Sequence, residues 1–280
     1  MTSQRPFKAA GVIGWPVAQS RSPKLHGYWF ERYNVNGAYI LLPVQPDKVA
    51  DAIKGLVALG FAGCNVTIPH KQAVIPLLDH VDPLAKRMGA VNLIVVGEDG
   101  KLSGFNKDGY GWFASICEAK PDFDVKKGPA VVMGAGGAAR AIVFTLADEG
   151  APEIRLFNRH QDRAEKIAAD CGKPVKVYPW EKRGELFGDA NLLVNCTNQG
   201  MYGQPPLDIC LDRLPASTYV SDVIYNPLDT PLIKAAKARG NPTVGGLGML
   251  LHQARPAFKA WFGIDPEVTP ELRKIIEATL

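Results

Sequence analysis

One string constrains this chain more than any other: Val131-Val132-Met133-Gly134-Ala135-Gly136-Gly137-Ala138-Ala139-Arg140-Ala141. It sets Gly134, Gly136 and Ala139 in G-x-G-x-x-A order, directly after the apolar run Ala130–Met133 and before a helical pattern over Ala138–Glu149. Glycines there permit a tight turn and let backbone approach a pyrophosphate at a helix N-terminus. Glycine turns between strand and helix are also common for steric reasons alone. The context of strand, helix and a further strand, Glu153–Phe157, makes the string a dinucleotide-site candidate. The second strand bears on which dinucleotide. An NAD site has an acid about 20 residues after the glycines, on the ribose 2′-hydroxyl. Here the strand ends in Asn158-Arg159, with Arg163 four residues on. A guanidinium binds a 2′-phosphate that a carboxylate would repel, which favours NADP(H). The alternative is a pair of exposed arginines at a helix start, with Asp162 available to pair with them.

With 280 residues the chain is long enough for about two domains, which implies a cleft suited to a small molecule. Hydrophobic residues make up 46% and charged residues 21%, the composition of a globular protein, neither disordered nor collagen-like. The formal charge of +4 is unevenly placed: residues 1–109 hold 12 Lys+Arg against 8 Asp+Glu, and residues 110–280 hold 20 of each. No dense basic stripe or recognition motif accompanies it, so nucleic acid is not an expected partner. Scattered surface lysines or a site for a small anion both account for the excess. No run of about 18 apolar residues points to a membrane span. The N-terminal stretch MTSQRPFKAAGVIG lacks an apolar leader core, and no secretory signal is expected. Cys64, Cys117, Cys171, Cys196 and Cys210 are dispersed and odd in number. They read as reduced thiols of a cytoplasmic protein, with no metal site expected.

Residues 1–109 alternate as α/β units. Strands are expected at Ala9–Gly14, Gly37–Val44, Phe61–Ile68, Ala90–Val96 and Lys101–Phe105, the last two joined by a turn at Glu98-Asp99-Gly100. Helices are expected from Ser22, as N-cap, with Pro23 to about Tyr33, over Pro46–Leu59, and from Pro69. The polar stretch Asp122–Gly128 reads as a connection. Beyond it come the glycine turn, a helix at Arg163–Cys171, and strands at Val175–Tyr178, Ala190–Asn195 and Tyr219–Ile224. The tail from Leu247 is mostly helical, its last helix capped by Thr269. The domains expected are 1–109 for substrate, 110–245 for the dinucleotide, and 246–280 as helices returning to the first.

Several strings of the first part carry chemistry. Ser20-x-Ser22 precedes a helix, where hydroxyls and free backbone N–H groups can receive a carboxylate, although Ser22 also has a structural use as N-cap. In NVTIPHK (Asn65–Lys71) the lysine falls in the first turn of a proline-started helix, against the helix dipole, a mild pointer to function. His70 beside it is read as a surface or packing residue. GAVN (Gly89–Asn92) and GFNKDGYG (Gly104–Gly111) place polar side chains among glycines at element ends. Asp108 is either the cap of the next helix or a partner for Lys71, and spacing does not separate the two.

Together these strings resemble the shikimate dehydrogenase family, in order and over essentially the whole chain. To those above are added GAGGAAR (Gly134–Arg140), Asn158-Arg159, NCTNQGM (Asn195–Met201), DVIYNP (Asp222–Pro227) and GLGMLLHQA (Gly246–Ala254). The resemblance implies an α/β enzyme of two domains, an open substrate domain and a Rossmann-type NADP-binding domain. It implies reduction of 3-dehydroshikimate to shikimate with NADPH, a step toward chorismate and the aromatic amino acids. By the same resemblance Ser20 and Ser22 hold the substrate carboxylate, with Tyr225 near it. Thr67, Asn92 and Gln253 match positions that bind the ring hydroxyls and neighbouring groups, and Lys71 and Asp108 match the catalytic pair. Gly134, Ala135, Gly136, Gly137 and Ala138 match the pyrophosphate turn; Asn158, Arg159 and Arg163 match the adenosine-phosphate clamp. Thr197, Met201 and Gly248 match positions beside the cofactor. A monomer or homodimer is expected.

Three positions depart from the family pattern. Lys107 stands where threonine is usual, and is expected to point to solvent. Asn198 stands where a small residue is common. Pro256 closely follows Gln253 and is expected to kink or restart its helix, since it lacks an N–H. The rival readings are a quinate/shikimate dehydrogenase using NAD or both cofactors, a non-catalytic homologue that senses shikimate, and, more remotely, a methylene-tetrahydrofolate dehydrogenase. Retention of both Lys71 and Asp108 weighs against the non-catalytic one.

Overall fold

A computed structural model describes residues 6–280; the first five residues of the stretch read for a leader lie outside it. The chain divides into two compact units: residues up to Lys107 together with Gln253–Thr279, and Asp108–His252.

The first unit is built on a mixed sheet of β1 (Lys8–Gly14), β2 (Gly37–Pro43), β3 (Phe61–Val66), β4 (His80–Val81), β5 (Leu93–Val96) and β6 (Leu102–Phe105), in the order β2-β1-β3-β5-β6-β4. β1 runs parallel to β2 and β3; β5 is antiparallel to β3 and β6. The β5–β6 hairpin closes where expected, with Gly97 N bonded to Lys101 O at 2.8 Å and Gly100 at φ +78°. Helices α1 (Ser22–Arg32), α2 (Val49–Ala58) and α3 (Pro83–Met88) join the strands. Alternation along β1 sends Ala10 and Val12 to one side and Ile13 to the other, and both sides are buried. Ile13 packs in a core with Ile53, Cys64, Val66 and Ile94. In α2 the buried stripe is Val49, Ile53 and Leu56, spaced for one helix face, so Val57 and Leu59 face outward.

The second unit is a parallel sheet of β7 (Ala130–Met133), β8 (Ile154–Phe157), β9 (Val175–Tyr178), β10 (Leu192–Asn195), β11 (Tyr219–Asp222) and β12 (Thr243–Val244). Its order, β12-β11-β10-β7-β8-β9, is that of a doubly wound dinucleotide-binding sheet. Its central strands β7, β10 and β11 are buried at every residue, as helices on both faces require. The helices are α4 (Asp108–Ala119), α5 (Gly137–Asp148), α6 (Gln161–Cys171) and α7 (Pro231–Ala238). The sequence reading lacks α7, although it carries the same Thr-Pro start as the last helix: Thr230 Oγ1 accepts the Ile233 N–H at 3.3 Å.

α8 (Leu247–Phe262) begins in the second unit and ends in the first, and α9 (Pro270–Glu277) follows, capped as expected by Thr269. α8 is one unbroken helix of 16 residues with Pro256 inside it, so the expected restart at that proline does not occur. Burial explains this: Ala254, Ala257, Phe258 and Trp261 are packed away, and their contacts outweigh one missing backbone bond. Within the first unit the Trp261 indole donates to Ile94 O at 3.0 Å, and Lys8 Nζ donates to Trp261 O at 3.0 Å. The tail thereby closes one side of the first sheet.

Candidate functional site

In the first unit the candidate residues cluster at the ends of β1 and β3 and the start of β5. The chain leaves β1 at Gly14, where a Cβ would come within 2.5 Å of Thr67 Cγ2; only glycine lets the two segments meet this closely. Thr67 N is bonded to Ile13 O at 2.9 Å. The expected N-cap role of Ser22 is not used: the helix starts on Ser22 itself, and Arg21 precedes it with no side-chain cap. Instead the Ser22 N–H donates to Ser20 Oγ at 3.3 Å, which ties the two serines together. The side chain of Ser22 neighbours the buried phenol of Tyr39. Burial pushes that phenol well above its usual pKa, and it donates to Asn65 Oδ1 at 2.7 Å. Asn65 Nδ2 donates to Asn92 O at 3.1 Å, and Asn92 Oδ1 accepts the Lys107 N–H at 2.8 Å. A continuous line of hydrogen bonds therefore joins Tyr39, Asn65, Asn92 and Lys107, with Ser22 beside its Tyr39 end.

Lys71 is not in a helix. Residues 68–74 form successive turns, followed by a short 3-10 turn at Ile75–Leu77. One α-type bond, Val74 N to His70 O at 3.1 Å, spans the lysine, but Lys71 O is taken by Val91 N at 2.8 Å and Ile75 N turns to Gln72 O, so the ladder does not continue. The dipole conflict read from the sequence does not arise. The backbone of Lys71 is instead pinned next to Asn92. His70 is 1% exposed, with Nε2 bonded to Val44 O at 2.7 Å, and packs as an interior residue. The Lys107 ammonium lies 5.4 Å from the centre of the Phe105 ring, so its side chain covers an aromatic face and does not simply extend into solvent. Gln253 is half-buried on α8, in the part belonging to this unit.

In the second unit Asp108 is the first residue of α4 and is buried. Gly109 lets α4 sit on α5: a Cβ there would overlap the Thr145 hydroxyl and come 2.9 Å from Ala141 O. Gly248 has a similar use, since a Cβ would collide with the Ser115 side chain. The glycine turn holds Gly134 at φ +107°, its N–H on Phe157 O at 2.7 Å, and a Cβ there would approach Cys196 to 3.1 Å. Gly134 and Cys196 follow β7 and β10, the adjacent strands at which the order reverses, where such sheets bind ligands. Around Gly136 and Gly137, the N-cap and first residue of α5, a Cβ would meet nothing within 4 Å. Ala135 and Ala138 flank that opening half-buried. Backbone N–H groups at a helix start beside open space fit a pyrophosphate.

Asn158 Nδ2 donates to His160 O at 2.7 Å, shaping the turn after β8. Arg159 and Arg163 are exposed, and among the described residues neither forms an ion pair; the alternative pairing with Asp162 is not made. Two guanidiniums without partners at this strand end, and no acid there, fit a 2′-phosphate. Thr197 sits in a loop held by Asn195, whose Oδ1 accepts both its N–H at 3.0 Å and its hydroxyl at 2.7 Å. Met201 is 44% exposed and Tyr225 half-buried. Sequence reading passed over Tyr39, Asn65, Asn195 and Asp222 as individual residues. Tyr39 is hidden in an apolar strand, whereas Asn195 and Asp222 were detectable as polar residues ending apolar strands. Among the described residues no cluster of His, Cys, Asp and Glu suits a metal ion, all five cysteines are free, and no helix is long and apolar enough to cross a membrane.

A doubly wound sheet with a glycine turn at its point of strand reversal defines the second unit as a dinucleotide-binding domain of the α/β oxidoreductase class. Residues 12–94 match the family described as the shikimate dehydrogenase substrate binding domain, residues 117–202 match shikimate/quinate 5-dehydrogenase, and residues 246–270 match the shikimate 5′-dehydrogenase C-terminal domain. The chain belongs to the shikimate dehydrogenase family. It is 53% identical over 269 residues to the shikimate dehydrogenase (NADP(+)) of Paramagnetospirillum magneticum, covering 96% of this chain and 98% of that one. Among solved structures, the Thermus thermophilus shikimate 5-dehydrogenase in complex with NADP(H) and shikimate is similar at a TM-score of 0.86 and 34% identity, with 98% of this chain and 100% of that chain covered. Quinate dehydrogenase from Corynebacterium glutamicum, in complex with NAD, is similar at a TM-score of 0.91 and 29% identity, covering 98% and 100%.

Proposed function

We propose that this chain reduces 3-dehydroshikimate reversibly to shikimate with NADPH, as an oxidoreductase of aromatic amino acid biosynthesis. The observation that carries the reading is the hydrogen-bonded line from Tyr39 to Asn92, with Ser22 beside one end and the Lys71 backbone pinned beside the other. Rigid hydroxyl and amide groups of this kind suit a small ring bearing a carboxylate and hydroxyls. Ser20 and Ser22 receive the carboxylate, with Tyr225 near it, and Thr67, Asn92 and Gln253 address the ring. Gly134, Ala135, Gly136, Gly137 and Ala138 would hold the pyrophosphate of the cofactor. Asn158, Arg159 and Arg163 would hold its 2′-phosphate, with Thr197, Met201 and Gly248 alongside. When bound, NADPH supplies the hydride. Reduction of the ketone leaves an alkoxide that needs a proton at once, and the Lys71 ammonium polarises the carbonyl oxygen and donates it. Asp108 is the carboxylate that serves with it, accepting a hydrogen bond from a substrate hydroxyl. Residues 1–109 are read as the substrate domain, 110–245 as the NADP domain and 246–280 as helices returning to the first. The protein is read as a cytoplasmic monomer or homodimer.

The test follows absorbance at the NADPH band with shikimate or quinate as substrate and NADP or NAD supplied separately. Turnover with shikimate and NADP is expected to dominate. Lys71→Ala should lower kcat by about 10²–10⁴-fold and change KM much less. Near-wild-type turnover in that variant defeats the assignment of Lys71, and strong preference for NAD defeats that of Arg159.

A further inference from the structure

Beyond the residues assigned to ligands above, the second unit contains a buried carboxylate with no counter-charge. Asp222 ends β11 and is 1% exposed; Asn195 ends β10, is fully buried, and stands opposite it in register. Asn195 Nδ2 donates to both Asp222 oxygens, at 3.1 and 3.2 Å, and to Gln199 O at 3.1 Å. Its Oδ1 accepts from Thr197 twice, and Thr197 Oγ1 accepts the Gln199 N–H at 3.1 Å. Asp222 in turn accepts the Ile224 N–H at 3.0 Å and the buried Thr230 hydroxyl at 2.7 Å. The loop after β10, carrying Thr197 and Met201, and the loop after β11, carrying Tyr225, are thus tied to one carboxyl group. The Tyr202 N–H on Asn226 O at 3.1 Å joins the same two loops farther out.

We propose that Asp222 is a positioning residue that, through Asn195, holds the Thr197–Met201 loop and the Tyr225 loop in one fixed relation, so that cofactor and substrate contacts of this unit depend on a single buried carboxylate. This rests on the roles given to Thr197, Met201 and Tyr225 above. An unpaired buried carboxylate is expensive, and a merely structural position would be filled more cheaply by an apolar or amide side chain. What the charge adds is acceptor capacity: two oxygens receive four donated hydrogen bonds, which a protonated acid cannot do while donating its own proton.

Burial raises the Asp222 carboxyl from the usual carboxylate range to about 6. Of the elements around it, β10 leads into the Cys196 thiol, itself raised by burial and by Asp222. On α7 the charged residues Lys234 and Lys237 are exposed, Lys237 pairing with Asp229 at 2.7 Å. β12 brings no charge, and among the described residues no cation pairs with Asp222.

The experiment compares the full chain with Asp222→Asn, Asp222→Ala and Thr230→Val. NADPH affinity is read by fluorescence, kcat and both KM values between pH 5 and 9, and backbone hydrogen exchange without cofactor. Asp222→Ala should raise KM for NADPH and for dehydroshikimate about tenfold each, the equivalent of one buried hydrogen bond, with kcat changed less. Exchange should speed up by at least about tenfold at Thr197–Met201 and Ile224 but not in β7 or β8. Asp222→Asn keeps the shape and should stay within about threefold of wild type in kcat. Its NADPH affinity relative to wild type should fall above pH 6 and converge with wild type below it. If Asp222→Ala fails to fold, the Asn variant and Thr230→Val, which removes one donor, decide. A constant Asn-to-wild-type ratio across pH, or unchanged exchange in the two loops, overturns the proposal. If the variants change loop exchange as expected but the wild-type protein has no dehydroshikimate activity, the functional reading is overturned and the positioning role stands.

Discussion

Both ring nitrogens of His26 are buried without a hydrogen-bond partner, inside a cage of Tyr39, Trp29, Phe258 and Trp261. The ring stacks on Tyr39 at 4.0 Å and behaves as an aromatic spacer at the Tyr39 end of the Tyr39–Asn92 line. Burial lowers its pKa to about 3. An unfolded chain takes up the proton near pH 6.5, so folding stability is full above that pH and declines as pH falls toward the folded-state value, by about 2 kcal/mol at pH 5. His26→Phe should therefore raise stability by about 1–3 kcal/mol at pH 8, by removing two unsatisfied polar atoms, and by more at pH 5. Thermal melts at the two pH values check this; a variant with the same pH dependence as wild type would refute it. Ser20 and Ser22 show a related point at the same scale. Their pairing is visible in sequence, but the Tyr39 phenol beside Ser22 comes from β2, and no local pattern announces it.

Elements were legible where local chemistry is strong. The β5–β6 turn, the Thr269 cap and the strand–glycine–helix of β7 and α5 form as their residues predict, within about two residues at the ends. The segment after Pro69 is the instructive exception. Its sequence suits a helix start, yet Val91 N claims the Lys71 carbonyl that a helix would use, and the His70 ring is anchored outside the segment on Val44 O. Pro256 errs the other way, tolerated inside α8 because tertiary burial outweighs the lost bond. The packing of α4 on α5 gives a test at this scale. Gly109→Ala adds one methyl against Thr145 and Ala141 O, and should destabilise by about 1–3 kcal/mol by denaturant titration. Thr145→Ala should rescue only part of that loss, since the Ala141 carbonyl cannot move away.

At the scale of the molecule, the cofactor face of the second unit is prepared without being filled by protein. Gly136 has open space around its Cα, so Gly136→Asp should leave the melting temperature of the free protein nearly unchanged. The new carboxylate would face the pyrophosphate. NADPH at 100 times its dissociation constant should stabilise wild type by about 2.7 kcal/mol and the variant hardly at all, as read by thermal shift. A shift of wild-type size in Gly136→Asp would remove the glycine turn from the cofactor site. Charge is distributed in keeping with this: the positive excess lies in the unit read as binding an anionic substrate, and Arg159 and Arg163 stand exposed at the end of β8.

The sequence by itself determined the two α/β units, the glycine turn, the preference implied by Arg159 in place of an acid, and the residues that align with one enzyme family. These depend on short-range rules of strand period, capping and turn geometry, and on motifs whose residues stand close together. Only the tertiary structure decided that Lys71 lies in a turn, that α8 passes through Pro256, and that Tyr39, Asn65, Asn195 and Asp222 support the candidate site. Each of those outcomes depends on partners many residues away, brought near by burial, and long-range hydrogen bonding leaves no periodic trace in the order of the amino acids.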